Sequence, residues 1–345
     1  MKILHVLKSG HFAGAENVVI QIIKMMSELD TVKSLYVSSK GKIEEVLTEK
    51  SIDHYLVDNL NIKNLKEIIE KYQPDIIHAH DFQASVLCSI VKKKRILISH
   101  IHCNPEWLRG LNLKTLSYLI SSFRFDKILT VSPQITEDYI FGDIIRKKVH
   151  NIGNPINTNS IKRLAAIEVQ ENKYDVIFIG RLEEVKNPFK FIEIIEKIKK
   201  DVPEVKAIMV GGGTLYRECS EIIKEKSLDT NIDLVGYQKN PYKFLNNSKF
   251  LCITSLNEGF SLVAVEAITL GKPVISFDVG ELRSIVNNDC GLVTNNEDEI
   301  IIECLKLIND EKLLKNKSSA ASAKSLKLDN YSEFKRFLQD LYRMN

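Results

Sequence analysis

Short apolar runs and helical patterns alternate along this chain, and the alternation occurs in two series. In the first half, apolar runs at 3–7, 34–38, 54–57, 76–79, 96–101, 127–131 and 149–152 are separated by helical periodicity at 15–29, 43–49, 65–72 and 84–91. Strands this short and this apolar need cover on both faces. Helices in the crossovers supply it, so the pattern predicts a mostly parallel sheet between helical layers. Gln73-Pro74-Asp75 and Ser132-Pro133 punctuate it as turns. The alternation lapses over 153–172, where Asn154-Pro155 and the polar stretch 157–160 favour turns. It resumes with strand-like runs at 176–179, 206–210, 232–235, 250–254 and 273–277 and helical segments at 189–199, 215–225 and 262–270. The expected architecture is α/β, with two Rossmann-like domains whose parallel sheets face a central cleft. The first covers 1–153, a linker follows over 154–172, and the second covers 173–328. The segment 329–345 is helical, with apolar Phe334, Phe337, Leu338 and Leu341, and is expected to pack back on the first domain.

Size agrees with two domains, since 345 residues exceed what most single cores hold. A net charge of +3 gives no reason to expect a nucleic-acid partner. The N-terminal apolar run is too short for a secretory leader, and no stretch reaches the roughly 18 apolar residues of a membrane span. A cytoplasmic protein is expected. The six cysteines form no Cys-x-x-Cys pair, and several sit in apolar runs, which predicts buried, reduced thiols. His78 and His80 would share one face of an extended segment. A zinc site needs at least one further ligand, which the spacing does not supply, so no metal is expected.

The densest chemistry lies at Glu258-Gly259-Phe260-Ser261-Leu262-Val263-Ala264-Val265-Glu266. The strand-like run 250–254 precedes it, so Glu258 should stand at a strand's carboxyl end and Glu266 on the following helix. Open α/β sheets bind ligands outside those strand ends. The free N–H groups at the helix start suit a phosphate, and the two carboxylates suit hydroxyl donors on either side of it. A phosphate flanked by hydroxyl-rich groups describes a sugar nucleotide. Arg181 and Lys186 fall in the loop after the first strand of the second half, where a fork and a point charge could neutralise a diphosphate. Gly211-Gly212-Gly213 ends another strand there, and tight-turn geometry would explain it equally well.

The N-terminal loop Lys8-Ser9-Gly10-His11-Phe12-Ala13-Gly14-Ala15-Glu16 matches neither the dinucleotide fingerprint nor the P-loop, which counts against nicotinamide enzymes and NTPases. His102 closes an N-terminal strand, where it could meet a sugar hydroxyl or serve as an ordinary polar loop residue. Segment 107–127 mixes Trp107, Leu108, Leu111, Leu116, Leu119, Ile120 and Phe123 with Arg109, Lys114, Arg124 and Lys127. With Lys92-Lys93-Lys94-Arg95 it suggests a basic, partly apolar surface suited to anionic lipid, against the alternative of a core helix with a solvated face. There is no Asp-x-Asp pair to hold a divalent cation on a diphosphate.

These segments together resemble the family 4 glycosyltransferases of the GT-B fold over nearly the whole chain. The family's Gly-Arg-Leu-x-x-x-Lys-Asn pattern is matched from Gly180 to Asn187, and its paired glutamates by Glu258 and Glu266. Gly14-Ala15-Glu16 and Asn151-Ile152-Gly153-Asn154-Pro155 are similar to further family features. The resemblance implies metal-independent transfer, without a cofactor, that retains anomeric configuration. Arg181 and Lys186 would bind the donor diphosphate, Glu266 the ribose hydroxyls and Glu258 hydroxyls of the transferred sugar. Backbone N–H groups of Phe260, Ser261 and Leu262 would hold the distal phosphate, Gly259 would also line the donor site, and the backbone of Gly236 and Tyr237 would lie near the base. Gly14 would approach the phosphates, and His102 matches the family's cleft histidine. The donor is expected to be a UDP-sugar. The acceptor is expected to be a glycan or lipid-linked glycan of bacterial surface polysaccharide, met at the inner membrane face. A sugar-nucleotide epimerase on the same fold and a non-catalytic sugar-nucleotide-binding partner are the alternatives. The chain departs from the family at Asp278-Val279-Gly280-Glu281-Leu282-Arg283, where Glu281 and Arg283 are extra charges, and mildly at Ser261.

Overall fold

A computed structural model describes residues 1–167 and 173–343. The chain divides into two compact units, one of residues 1–155 with 331–345 and one of residues 156–330.

The first unit holds a seven-stranded parallel sheet. Its strands are β1 (Lys2–Val6), β2 (Lys33–Ser39), β3 (His54–Val57), β4 (Ile76–Ala79), β5 (Ile96–Ile101), β6 (Lys127–Thr130) and β7 (Val149–Asn151). Their order is β3-β2-β1-β4-β5-β6-β7. Alternate residues serve opposite faces. Leu4 and Val6 of β1 join Ile77, Ala79, Leu97 and Ile101 in one core, on which the helix Phe82–Val91 packs through Ala84 and Cys88. His5 and His78 point to the other face, in register across β1 and β4. Helix ends follow local chemistry: Asn61 accepts from the amides of Lys63 and Asn64 to start the helix Ile62–Tyr72, and left-handed Gln73 before Pro74 ends it.

The second unit holds β8 (Tyr174–Ile179), β9 (Ala207–Val210), β10 (Ile232–Gly236), β11 (Ser248–Ile253), β12 (Val274–Ser276) and β13 (Gly291–Val293). All pair in parallel, in the order β10-β9-β8-β11-β12-β13. Val176, Phe178, Met209, Phe250 and Cys252 face a core closed by Phe191, Ile195 and Ile198 of the helix Pro188–Asp201. Ile177, Ile208, Leu251 and Ile253 face the opposite core with Val265 and Ile268. Both sheets reverse their strand order beside the first strand, between β1 and β4 and between β8 and β11. Ligands of open α/β sheets bind at such a switch point, outside the carboxyl strand ends.

Where turn formers alone are evident in the sequence, the structure forms a helix, Thr158–Ala165, capped by Asn157 and packed within the second unit on the helices Tyr242–Asn246 and Leu262–Thr269. Residues 168–172 of the expected linker lie outside the described residues. The helix Tyr331–Tyr342 belongs to the first unit and packs on the helix Gly14–Ser27. The described cysteines are all free thiols; Cys103 is exposed and the other five are buried.

Candidate active site

The loops after β8 and β11 leave the second sheet on either side of its switch point and are stitched together by their backbones. The amide of Leu256 donates to the carbonyl of Val185 at 2.9 Å, and the Thr254 hydroxyl donates to the carbonyl of Asn187 at 2.9 Å. The loop after β12 closes over them. Gly280 has φ +56°, and a Cβ there would stand 2.2 Å from the carbonyl oxygen of Glu258. The Gly211-Gly212-Gly213 turn buttresses the loop after β8: Leu182 N–H donates to the Gly212 carbonyl at 2.9 Å, and a Cβ on Gly211 would fall 1.8 Å from the Gly180 oxygen. Close backbone packing therefore accounts for these glycines.

Inside this frame, Lys186 Nζ lies 2.7 Å from Glu258 Oε1, and the Ser255 hydroxyl donates to the same oxygen at 2.7 Å. The Glu258 side chain is only 8% exposed, and those two donors offset the loss of its hydration. Arg181, on the same loop, is exposed and has no ion-pair partner among the described residues. Ser261 caps the helix Leu262–Thr269 by position, yet its hydroxyl is buried with no hydrogen-bond partner. Phe260 is half-buried at the same turn, and the carbonyl of Gly259 accepts from the amide of Glu281 at 3.2 Å. One turn into the helix, Glu266 accepts from the Tyr242 hydroxyl at 2.9 Å. Burial raises the Glu266 carboxyl to about 7, against the opposing pull of the tyrosine hydroxyl. At the end of β10, Gly236 takes φ +70° and accepts from the Gly211 amide at 2.9 Å, and Tyr237 is largely exposed. The extra charge of Arg283 is engaged with Asp278, at 2.8 Å.

Two family models match consecutive stretches of the chain, one described as Glycosyltransferase Family 4 over residues 12–160 and one as Glycosyl transferases group 1 over residues 161–324. The chain belongs to glycosyltransferase family 4. It is 28% identical over 291 residues to an uncharacterized glycosyltransferase of Methanocaldococcus jannaschii, covering 74% of this chain and 71% of that protein. It is 26% identical over 335 residues, 91% of each chain, to the Campylobacter jejuni GalNAc-alpha-(1->4)-GalNAc-alpha-(1->3)-diNAcBac-PP-undecaprenol alpha-1,4-N-acetyl-D-galactosaminyltransferase. Among solved structures, Anabaena HepE in complex with UDP-glucose superposes with a TM-score of 0.82 over 99% of both chains at 20% identity, which shows the GT-B fold.

Sequence reasoning on this glycosyltransferase brought Lys186, Glu258 and Glu266 to one strand edge but missed their protein partners. Ser255 is three residues from Glu258, a local signal that could have been read. Tyr242 lies on a separate short helix, and nothing in its neighbourhood ties it to Glu266.

The other candidates lie in the first unit. Gly14 opens the helix Gly14–Ser27, and a Cβ there would meet nothing within 4 Å. His102 is half-exposed at the end of β5 and joins a cluster that its spacing alone does not reveal. His80 Nδ1 lies 3.2 Å from His102 Nε2, His80 Nε2 lies 3.0 Å from His5 Nδ1, and His78 Nδ1 lies 2.7 Å from the Tyr342 hydroxyl. His100 lies beside His102 with ring centroids 4.0 Å apart and the rings tilted by 33°. Burial pushes all five imidazoles below their usual range, His5 and His102 to about 3, with neighbouring rings adding to the shift at His78, His80 and His100. At neutral pH they are uncharged.

Three residues of the basic run 92–95 have partners. Lys92 pairs with Asp126 and Lys93 with Glu70, while Arg95 bonds the carbonyl of Pro74. The helix Leu113–Ser122 is different. Its polar Thr115, Ser121 and Ser122 are buried, while Leu113 is 86%, Ile120 68% and the following Phe123 69% exposed. With Leu116 these positions fall on one face at helical spacing, opposite Tyr118, which lies in the core with Leu119 packed against it. Exposed Leu111, Ile140 and Ile144 belong to the same unit. No helix among the described residues is long and apolar enough to cross a membrane.

Proposed function

We propose that this glycosyltransferase moves a sugar from a UDP-sugar, with retention and without a metal, to a glycan or lipid-linked acceptor of a surface polysaccharide. The observation that carries the reading is the Lys186–Glu258 pair beside Glu266 at the switch point of the second sheet. A diphosphate offers Lys186 a stronger anion than one carboxylate does. Lys186 then turns to the phosphate with Arg181, and Glu258 is released to accept hydrogen bonds from sugar hydroxyls. The amides at the start of the helix Leu262–Thr269 meet the distal phosphate, Glu266 accepts from the ribose, and the backbone at Gly236 and Tyr237 reads the base. The bond between the anomeric carbon and the diphosphate oxygen breaks. The acceptor oxygen bonds to the carbon on the face the diphosphate leaves, its proton passes to the departing diphosphate oxygen, and the remaining leaving charge is met by Arg181, Lys186 and the helix start. His102, the accessible member of its cluster, is a further catalytic candidate.

The Campylobacter relative, which acts on an undecaprenol-diphosphate glycan, and the Anabaena neighbour, bound to UDP-glucose, support these choices of acceptor and donor. The outward stripe Leu113, Leu116, Ile120 and Phe123 supports peripheral docking on the inner membrane face, with exposed Lys114 and Arg124 close in sequence for anionic headgroups.

The test incubates the purified protein, with EDTA present, with UDP-, GDP- and ADP-sugars and an undecaprenyl-diphosphate-linked glycan. The expected product is an α-linked, extended glycan from the UDP-sugar. A new sugar nucleotide formed without acceptor would instead assign an epimerase, and no product together with no nucleotide-induced rise in melting temperature rejects the reading.

A further inference from the structure

The transfer reading asks nothing of His5, His78, His80 and His100. Yet strand order and register gather them with His102 on one face of the first sheet. His5 lies opposite His78 across β1 and β4, and His100 stands one residue past the last β4–β5 pair, Ala79 and Ser99, as His80 does. Ring nitrogens of His80, His100 and His102 all lie within 4.8 Å of one another. Tetrahedral zinc with bonds of about 2.0 to 2.1 Å sets its ligand nitrogens about 3.3 Å apart, and His80 Nδ1 and His102 Nε2 already stand 3.2 Å apart.

The remaining nitrogens fit the same reading. Both ring nitrogens of His100 and Nδ1 of His102 are buried without a hydrogen-bond partner. His80 has its other nitrogen, Nε2, 3.0 Å from His5 Nδ1. With Nε2–H donating to His5, the Nδ1 lone pair of His80 faces His102. An outer hydrogen bond of this kind fixes the tautomer and ring orientation of metal-binding histidines. The Tyr342 hydroxyl holds His78 behind the group in the same way. The alternative trio, His5, His78 and His80, is fully buried, whereas His102 is partly exposed.

We propose that His80, His100 and His102 form a binding site for a transition-metal dication of the zinc type. No carboxylate belongs to the group, which disfavours magnesium and calcium, while three imidazoles suit zinc, copper or nickel. The ion ties the end of β4 to the end of β5 and takes no part in the transfer chemistry; while it is bound, His102 serves as its ligand and not as the catalytic candidate named above. The inference does not depend on the transfer reading.

The full chain, stripped with chelator and dialysed, is titrated with Co²⁺ alone and then with Zn²⁺. The expected result is one Co²⁺ per chain with the visible absorption of a four-coordinate ion, displaced by Zn²⁺, and a raised melting temperature. His80→Gln and His100→Gln should each weaken binding on the order of tenfold or more, while His150→Gln, outside the cluster, leaves it unchanged. Absence of a saturable site in the wild type overturns the proposal, as does binding that both cluster variants retain. Should those variants fail to fold, histidine ring ¹⁵N resonances of the wild type decide. Zn²⁺ must shift the rings of His80, His100 and His102, and unshifted rings refute the site in favour of a metal-free chain of hydrogen-bonded imidazoles.

Discussion

Lys186 and Glu258, 72 residues apart in sequence, meet at 2.7 Å across the switch point of the second sheet. The contact joins the two side chains to which the transfer reading gives the diphosphate and the sugar. Lys186→Ala and Glu258→Gln should each lower turnover roughly tenfold or more. Their effects on stability should differ. Lys186→Ala leaves a nearly buried carboxylate with the Ser255 hydroxyl alone and should cost on the order of 1–3 kcal/mol, whereas Glu258→Gln leaves a half-buried lysine that can reach water. Steady-state kinetics beside thermal melts check both, and wild-type rates from the two folded variants would remove Lys186 and Glu258 from the mechanism.

Glu266 gives the site a pH dependence. Its carboxyl sits at about 7 because burial disfavours the charge. Below that value the group is protonated and loses its charge-assisted bonds to ribose hydroxyls, so UDP affinity should fall as pH drops through about 7. Tyr242→Phe removes the hydroxyl that pulls the carboxyl down and should move the midpoint to higher pH. Calorimetric titration of UDP across that range measures it, and a flat profile in the wild type contradicts the role given to Glu266.

The same shift makes a prediction about stability. A carboxyl whose folded value is raised favours folding in its protonated form, and that contribution is lost as pH rises from the usual glutamate range through about 7. Glu266→Gln, which keeps an oxygen for Tyr242, should therefore be more stable than wild type above pH 7 and gain nothing in acid, while binding UDP more weakly. Melting temperatures as a function of pH check the sign.

Gly280→Ala tests the loop frame. The substitution strains a φ of +56° and sets a methyl against the Glu258 carbonyl, so the turn must shift. A loss of about 1–3 kcal/mol is expected, with donor affinity falling further than stability alone explains. Melts and UDP titration together decide, and unchanged values for both would show the turn to be more yielding than its packing implies.

The outward stripe predicts membrane association. Replacing Leu113, Ile120 and Phe123 together by Ser should leave folding intact, because none packs in the core, and should reduce sedimentation with anionic vesicles on the order of tenfold. Unaltered sedimentation would mean that this face meets something other than lipid.

Much of this protein was legible locally. Apolar runs such as Val176–Ile177–Phe178 are strands because parallel sheets are covered on both sides, and the turn after Phe250-Leu251-Cys252-Ile253 places Glu258 at a strand end through chain connectivity alone. Strand 291–293 and the helix Thr158–Ala165 were not legible. The strand has only three residues, and the helix begins among turn formers, its ends settled by the Asn157 cap and by burial of Thr158 and Ala165.

By itself, then, the order of residues determined the two α/β halves, the loops that bear Arg181 and Lys186, and the interval between Glu258 and Glu266, since each depends on periodicity and short-range turns. Tertiary structure alone decided that Lys186 holds Glu258, that Tyr242 holds Glu266, that His5 comes beside His80 and that Leu113, Ile120 and Phe123 face outward. Those contacts follow from strand order, register and the packing of distant segments, which no local spacing encodes.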